Sequence, residues 1–68
     1  MLKRSISLKP LTDTVNQIYR LDFNDGTGES VFFMQLVLNT KRDYELLGYI
    51  AEMWVREGIP PHKAVRSY

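Results

Sequence analysis

Residues 31–38 place the strongest constraint on how this chain can fold. Seven of these eight residues are apolar, and they occupy both faces of any strand that the segment forms. A strand that is apolar on both faces has to be covered on both faces. In a chain of 68 residues one cover is a helix, and we expect the other to be a second molecule. The pattern favours a protein that works by contact rather than by catalysis.

The length of the chain limits it to one domain, residues 1–68, with a single core. A domain of this size buries only about 60% of the surface of its unfolded chain, and small domains are usually reinforced by disulfides, a metal or oligomerisation. The chain has no cysteine and one histidine. We therefore expect no disulfide, no metal site and no cofactor, and we expect a homo-oligomer, most simply a homodimer, or a protein partner.

From hydropathy we expect neither a membrane-spanning segment nor a signal peptide. No apolar stretch approaches the roughly 20 residues that cross a bilayer, and the basic residues Lys3 and Arg4 are not followed by the apolar segment of a signal peptide. The absence of cysteine is compatible with the cytoplasm, where we expect the protein to act.

Both termini are basic and the middle is acidic, with a net charge of +1. The small size without a motif also favours a phage or mobile-element origin.

Three segments have the alternating pattern or the composition of strands. Residues 3–9 alternate polar and apolar side chains and predict a weak strand that ends at Pro10. Residues 15–23 alternate more regularly and predict a strand with one wet face. The turn residues of 24–30, above all the Asp-Gly pair, predict a hairpin that pairs 15–23 antiparallel with 31–38.

Alternation also assigns side chains to the faces of the sheet. Phe32, Met34, Leu36 and Leu38 share the face expected to meet the helix, and the face that points away carries Val31, Phe33 and Val37. We expect Tyr19, Phe23 and Phe33 to share one face, with Arg20 nearby.

A long helix follows the hairpin. Thr40 and Asp43 have the spacing of a capping box, which predicts a helix that begins at residue 41. Apolar side chains then cover about 200° of the helix circumference, about twice the minimum apolar stripe, with Trp54 in its middle. The members of this stripe are Tyr44, Leu46, Leu47, Ile50, Ala51, Met53, Trp54 and Val55. Gly58 ends the helix, and the tail at 62–68 forms either a helical turn after Pro61 or a disordered end.

These elements predict an α+β fold, in which a three-stranded antiparallel meander packs against one long helix and a short tail follows. Aromatic and apolar residues that are not needed under the helix are the candidate protein interface, together with the tryptophan. They are Tyr19, Phe23, Val31, Phe33, Val37 and Trp54. Aromatic faces of sheets also stack single-stranded bases in several RNA-binding folds, but those faces are bordered by several basic side chains. The hairpin loop here is acidic, which favours a core or interface role.

Catalytic and metal-binding chemistry finds little support in the sequence. His62, the single histidine, has no orienting carboxylate or nucleophile at a recognisable spacing. Asp22, Asp25 and Glu29 surround the hairpin turn without the alternating ligand order of a calcium loop. Turn chemistry accounts for Asp25. We therefore expect neither an enzyme nor a small-molecule substrate.

The C-terminal stretch 54–68 resembles the end of the DNA-contacting helix and the start of the wing in excisionase-like and MerR-like winged-helix regulators. That resemblance implies phosphate contacts by Arg56, Lys63 and Arg66. In those domains the hairpin follows the recognition helix, whereas here it precedes the long helix. A nucleic-acid-binding regulator is therefore the alternative hypothesis, behind a small non-enzymatic protein that docks an apolar surface onto a protein partner or itself.

Overall fold

The computed structural model describes residues 3–12 and 17–68 of the chain. Three strands are followed by two helices, and a π-helical turn extends the first helix. In chain order the elements are β1 (Ser5–Pro10), β2 (Ile18–Asn24), β3 (Ser30–Val37), α1 (Lys41–Glu52), the π-helical turn (Met53–Glu57) and α2 (Pro61–Ser67). This confirms the predicted α+β fold.

The three strands form an antiparallel meander in the order β1-β2-β3. β2 begins at Ile18 in the structure; the start predicted at residue 15 lies outside the described residues. At the hairpin, Asp25 Oδ1 accepts hydrogen bonds from the backbone N–H of Thr27 at 2.9 Å and from its hydroxyl at 2.6 Å. Gly26 and Gly28 have φ values of 100° and 92°, which confirms a turn that depends on glycine.

Both ends of the long helix form as predicted. Thr40 Oγ1 accepts the N–H of Asp43 at 3.3 Å, and the Asp43 carboxylate accepts the N–H of Thr40 at 2.8 Å, which completes a capping box. The helix continues from α1 through the π-helical turn and ends at Gly58, whose φ is 69°. The left-handed conformation at this position is readily adopted by glycine, and it closes the helix.

The core lies between one face of the sheet and the two helices. Its buried side chains come from β2, α1, the π-helical turn and α2, and they are Leu21, Phe23, Ile50, Trp54 and Ala64. On β3, Met34 and Leu36 pack against this core and Phe32 contacts the Trp54 ring, with 5.8 Å between ring centroids. Leu38, after the strand, is also buried. The face of β3 predicted to meet the helix is therefore confirmed.

The tail is ordered as a helix. Pro61 occupies the first turn of α2, where its missing N–H has no helical partner to lose. Pro61 and Ala64 are buried, and the Tyr68 ring contacts the Tyr49 ring of α1 with 5.2 Å between centroids. Of the two alternatives for this segment, the structure shows the helical one.

Candidate functional site

The register of the hairpin corrects one assignment of side chains to faces. β2 and β3 pair Phe23 with Phe32 and Asp22 with Phe33. Directly opposed residues of an antiparallel pair point to the same face. Phe33 therefore shares the outer face with Asp22, and the expectation that it lies beside Tyr19 and Phe23 is wrong. From Phe32 to Val37 the pairing with β2 is regular, whereas Val31 lies in a bulge between the pairs Phe23–Phe32 and Asn24–Ser30. Alternation along one strand does not determine which rows of neighbouring strands coincide.

Burial divides the six candidate interface residues into two groups. Phe23 is fully buried, Trp54 is 5% exposed, and Tyr19 is partly buried against the same core. These three side chains support the fold and are covered by other elements of this chain. The remaining three are exposed on β3: Val31 at 44%, Phe33 at 60% and Val37 at 48%. We call Val31, Phe33 and Val37 the outer patch.

Charged groups on β2 border the outer patch and hold each other in place. The Arg20 guanidinium carbon lies 4.3 Å from the centroid of the Phe33 ring, which is a cation–π distance. Arg20 Nε donates to Asp22 Oδ1 at 3.1 Å, and the Ser30 hydroxyl donates to the same oxygen at 3.1 Å. The charge of Arg20 is thus neutralised by Asp22 within the sheet. The Phe33 ring contacts the guanidinium on one side and remains exposed.

A groove of about 470 Å³ runs between β3 and α2. β3 contributes Phe32, Phe33 and Met34, and the α2 side is lined by Pro61, His62, Val65 and Arg66. The groove was not predicted from the sequence, because the tail had no assigned position against the sheet. A signal was present in the tail: Pro61, Ala64 and Val65 have the i, i+3, i+4 spacing of an apolar helix face.

The candidate nucleic-acid contacts are separated into two environments. Arg56, on the π-helical turn, donates to Glu52 one turn earlier at 2.6 Å. Lys63 and Arg66 lie on α2, where they are exposed and where the helix contains no acidic residue. The structure therefore gathers two of the three cations on one short helix, next to the groove.

The acidic residues singled out at the hairpin and the helix cap have structural uses. Hydrogen bonds from the Thr27 hydroxyl and N–H lower the pKa of Asp25, and those from the backbone N–H groups of Thr40 and Asn39 lower the pKa of Asp43. Among residues 3–12 and 17–68, no three acidic, histidine or cysteine side chains come together in a way that would hold a metal ion. Over the same residues, no helix has the length and apolarity needed to span a bilayer.

Comparison with known proteins adds no assignment to this geometry. No protein-family model, curated protein or solved structure matches the chain. The function therefore has to be inferred from the surfaces described above. Two of them stand out, and both involve β3: the outer patch, and the groove beside α2.

Proposed function

We propose that this chain is a small non-enzymatic protein that acts by docking the outer patch against a second copy of itself. The observation that carries the proposal is the exposure of Phe33, at 60%, together with that of Val31 and Val37 on the same strand. The helices cover the opposite face of the same sheet. Large apolar side chains grouped on an uncovered face are typical of an interaction surface.

The charges around the patch support a second copy as the occupant. Arg20 and Asp22 pair with each other, so their charges cancel locally. The whole chain has a net charge of only +1, so two copies repel each other weakly. Burying the patch in a dimer also enlarges the apolar core of a domain that is small enough to gain from it.

The test is the oligomeric state of the full chain, measured by sedimentation velocity over a range of micromolar concentrations. We expect a dimer for the wild type and a monomer for Phe33→Ser and Val37→Ser. Val37 lies in the outer patch but does not line the groove, so its variant separates the two surfaces. Val55→Ser is the matched control, because Val55 is an exposed valine on the helical side of the molecule. A wild-type chain that stays monomeric at high concentration would contradict the proposal.

A nucleic-acid-binding regulator is the second candidate, favoured by the position of Lys63 and Arg66 on a helix without acidic residues. Such a function would use α2 rather than the outer patch. The two candidates differ in their response to salt. Contacts with phosphates weaken steeply as salt rises because counterions are released, whereas apolar docking changes little.

A further inference from the structure

β3 is an edge strand with one side open. Within the described residues it pairs with β2 alone. The N–H of Leu38, the residue after β3, donates to the carbonyl of Gln17 at 3.1 Å. Because inward and outward backbone groups alternate along an antiparallel strand, the N–H and C=O groups of Phe33, Gln35 and Val37 point away from β2. These groups form a row that a further strand can pair with.

The two edges of the sheet differ in how they are protected. β1, at the far edge, contains Lys9 and ends in Pro10, and both residue types hinder the addition of a strand. β3 contains neither a charged residue nor a proline from Ser30 to Val37. Natural proteins usually protect a long apolar edge with such residues. The unprotected edge is therefore the one that borders the groove.

The groove gives an added strand a place for its side chains. It opens along Phe32, Phe33 and Met34 and is closed on the other side by α2, through Pro61 and Val65. Its volume of about 470 Å³ lies within the roughly 300–1,000 Å³ typical of ligand pockets. Every second side chain of an added strand points to the helical side of the sheet, so these side chains enter an apolar groove.

The border of the groove is basic. Arg66 lines it, Lys63 is exposed on the same helix, and that helix contains no acidic residue. The two ion pairs formed by the described residues, Arg20 with Asp22 and Arg56 with Glu52, do not involve α2. Charge complementarity therefore favours an occupant that carries carboxylates.

We propose that β3 binds an extended segment of a partner protein as a fourth strand of the sheet. The segment has apolar side chains at alternate positions, which enter the groove, and an acidic residue that faces Arg66. Backbone hydrogen bonds to the edge provide affinity, and the groove provides selectivity, as in other cases of strand addition. This proposal goes beyond self-association through the outer patch, and either one can hold without the other.

The first experiment selects ligands for the full wild-type chain from a library of displayed random peptides of about ten residues. We expect selected sequences that alternate apolar residues and contain aspartate or glutamate. A synthetic peptide with the selected sequence should then slow amide hydrogen exchange at Phe33, Gln35 and Val37. This measurement needs no variant, so it does not depend on whether a substituted chain folds. Failure to select peptides, or protection confined to other residues, would overturn the proposal.

Two variants test the edge and the charge separately. Gln35→Pro removes one outward N–H without removing a bond to β2, and we expect it to weaken peptide binding about tenfold, as for the loss of one hydrogen bond. Arg66→Glu should also weaken binding about tenfold, and a peptide with lysine in place of its acidic residue should restore it. Arg56→Glu is the charge-matched control and should bind like the wild type.

The oligomeric state of the variants shows whether a second copy of the chain, rather than a partner segment, occupies the edge of β3. If Gln35→Pro abolishes a wild-type dimer while Val37→Ser does not, a second copy of the chain occupies the edge, and the proposal of a partner segment is overturned. If the selected peptide binds and the wild type is monomeric, self-docking through the outer patch is contradicted and the edge proposal stands. The two failures are therefore distinguishable.

Discussion

Trp54 connects the helical layer to all three strands of the sheet. Its indole N–H is shared between the carbonyls of Ser5 at 3.1 Å and Asn24 at 3.0 Å, on β1 and β2. Its ring meets those of Phe23 and Phe32 edge to face, with centroids 5.9 and 5.8 Å away. Helical spacing predicted that this residue lies in the core or an interface. Its hydrogen bonds could not be predicted, because they depend on the position of the helix over the sheet.

Replacing Trp54 separates the contribution of the ring from that of its N–H. Trp54→Ala should cost about 3–5 kcal/mol, enough to unfold much of a domain this small. Trp54→Phe keeps an aromatic ring but leaves two partly buried carbonyls without their donor, and should cost about 1–3 kcal/mol. Guanidinium unfolding measures both. Val55→Ala, at the exposed neighbouring position, should change stability by less than about 1 kcal/mol; equal losses at both positions would contradict the role of the tryptophan.

Asp43 makes the stability of the fold depend on pH in the acidic range. The N–H groups of Thr40 and Asn39 donate to its carboxylate, so its pKa in the folded chain lies below the ordinary value of 3.8. A carboxyl group whose pKa is lower in the folded chain than in the unfolded chain stabilises the fold at pH values above its unfolded pKa. This stabilisation is lost as the pH falls through its folded pKa. We expect the melting temperature of the wild type to fall more steeply below about pH 4 than that of Asp43→Asn.

The control for this prediction is Glu45→Gln, which removes the same charge from an exposed position of α1. Thermal melts from neutral pH to about pH 2 compare the three proteins. Asp25 also has a lowered pKa, through Thr27, so part of the acid loss remains in Asp43→Asn. Identical slopes for the wild type and Asp43→Asn would show that the capping box does not contribute to this loss.

At the scale of elements, the long helix shows what local patterns can and cannot predict. Its two ends were predicted correctly, because capping by Thr40 and termination at Gly58 depend on neighbouring residues. Its apolar stripe is wider than the surface that the sheet covers: Tyr44 is 53% exposed and Val55 is 39% exposed. The sheet is narrow, so it covers only the middle of the stripe. The spacing of apolar residues along the helix carries no information about the width of the sheet.

Arg4 secures the end of this helix from a distant part of the chain. Its Nε donates to the Trp54 carbonyl at 2.7 Å, and its Nη2 lies 3.4 Å from the carbonyls of Val55 and Arg56. The Trp54 carbonyl also accepts the N–H of Gly58 at 3.0 Å, so Arg4 is its second donor. The carbonyls of Val55 and Arg56 lie in the last turn, where helical donors run out, and the guanidinium lies within reach of both. The sequence provided no signal for it, because the contact joins residues about fifty positions apart.

Two glycines of the helical region should respond to alanine in opposite ways. Gly48 lies inside α1 with no atom within 4 Å of an added Cβ, so Gly48→Ala should stabilise the chain by about 0.5–1 kcal/mol. Gly58 has a φ of 69°, and an added Cβ would lie 3.2 Å from Arg4 Cζ. Gly58→Ala should therefore destabilise the chain by about 1–2 kcal/mol. Urea unfolding of both variants provides the comparison, and changes of the same sign would contradict this account of the helix end.

At the scale of the whole molecule, the order of elements and the face of β3 under the long helix were predictable, whereas the docking of α2 was not. Alternation, turn residues and caps are local, so they predicted three strands and a long helix. The position of α2 depends on contacts between distant side chains, such as the His62 ring with that of Phe32, 6.2 Å between centroids. The groove depends on that position. The exposed apolar residues of β3 were therefore predicted, whereas the groove beside them was not.

The final prediction concerns duplex DNA and the charges of the whole molecule. We expect the wild type to show no salt-sensitive binding to random-sequence DNA. Arg56 is paired with Glu52, two cations on a helix of seven residues are few for a phosphate surface, and the net charge is only +1. Fluorescence anisotropy with a labelled duplex at several salt concentrations measures this. If the wild type does bind, each phosphate contact contributes a slope of about one in log affinity against log salt. Binding that is lost when Arg56, Lys63 and Arg66 are all replaced by alanine, while the oligomeric state is unchanged, would rank nucleic-acid recognition above protein docking.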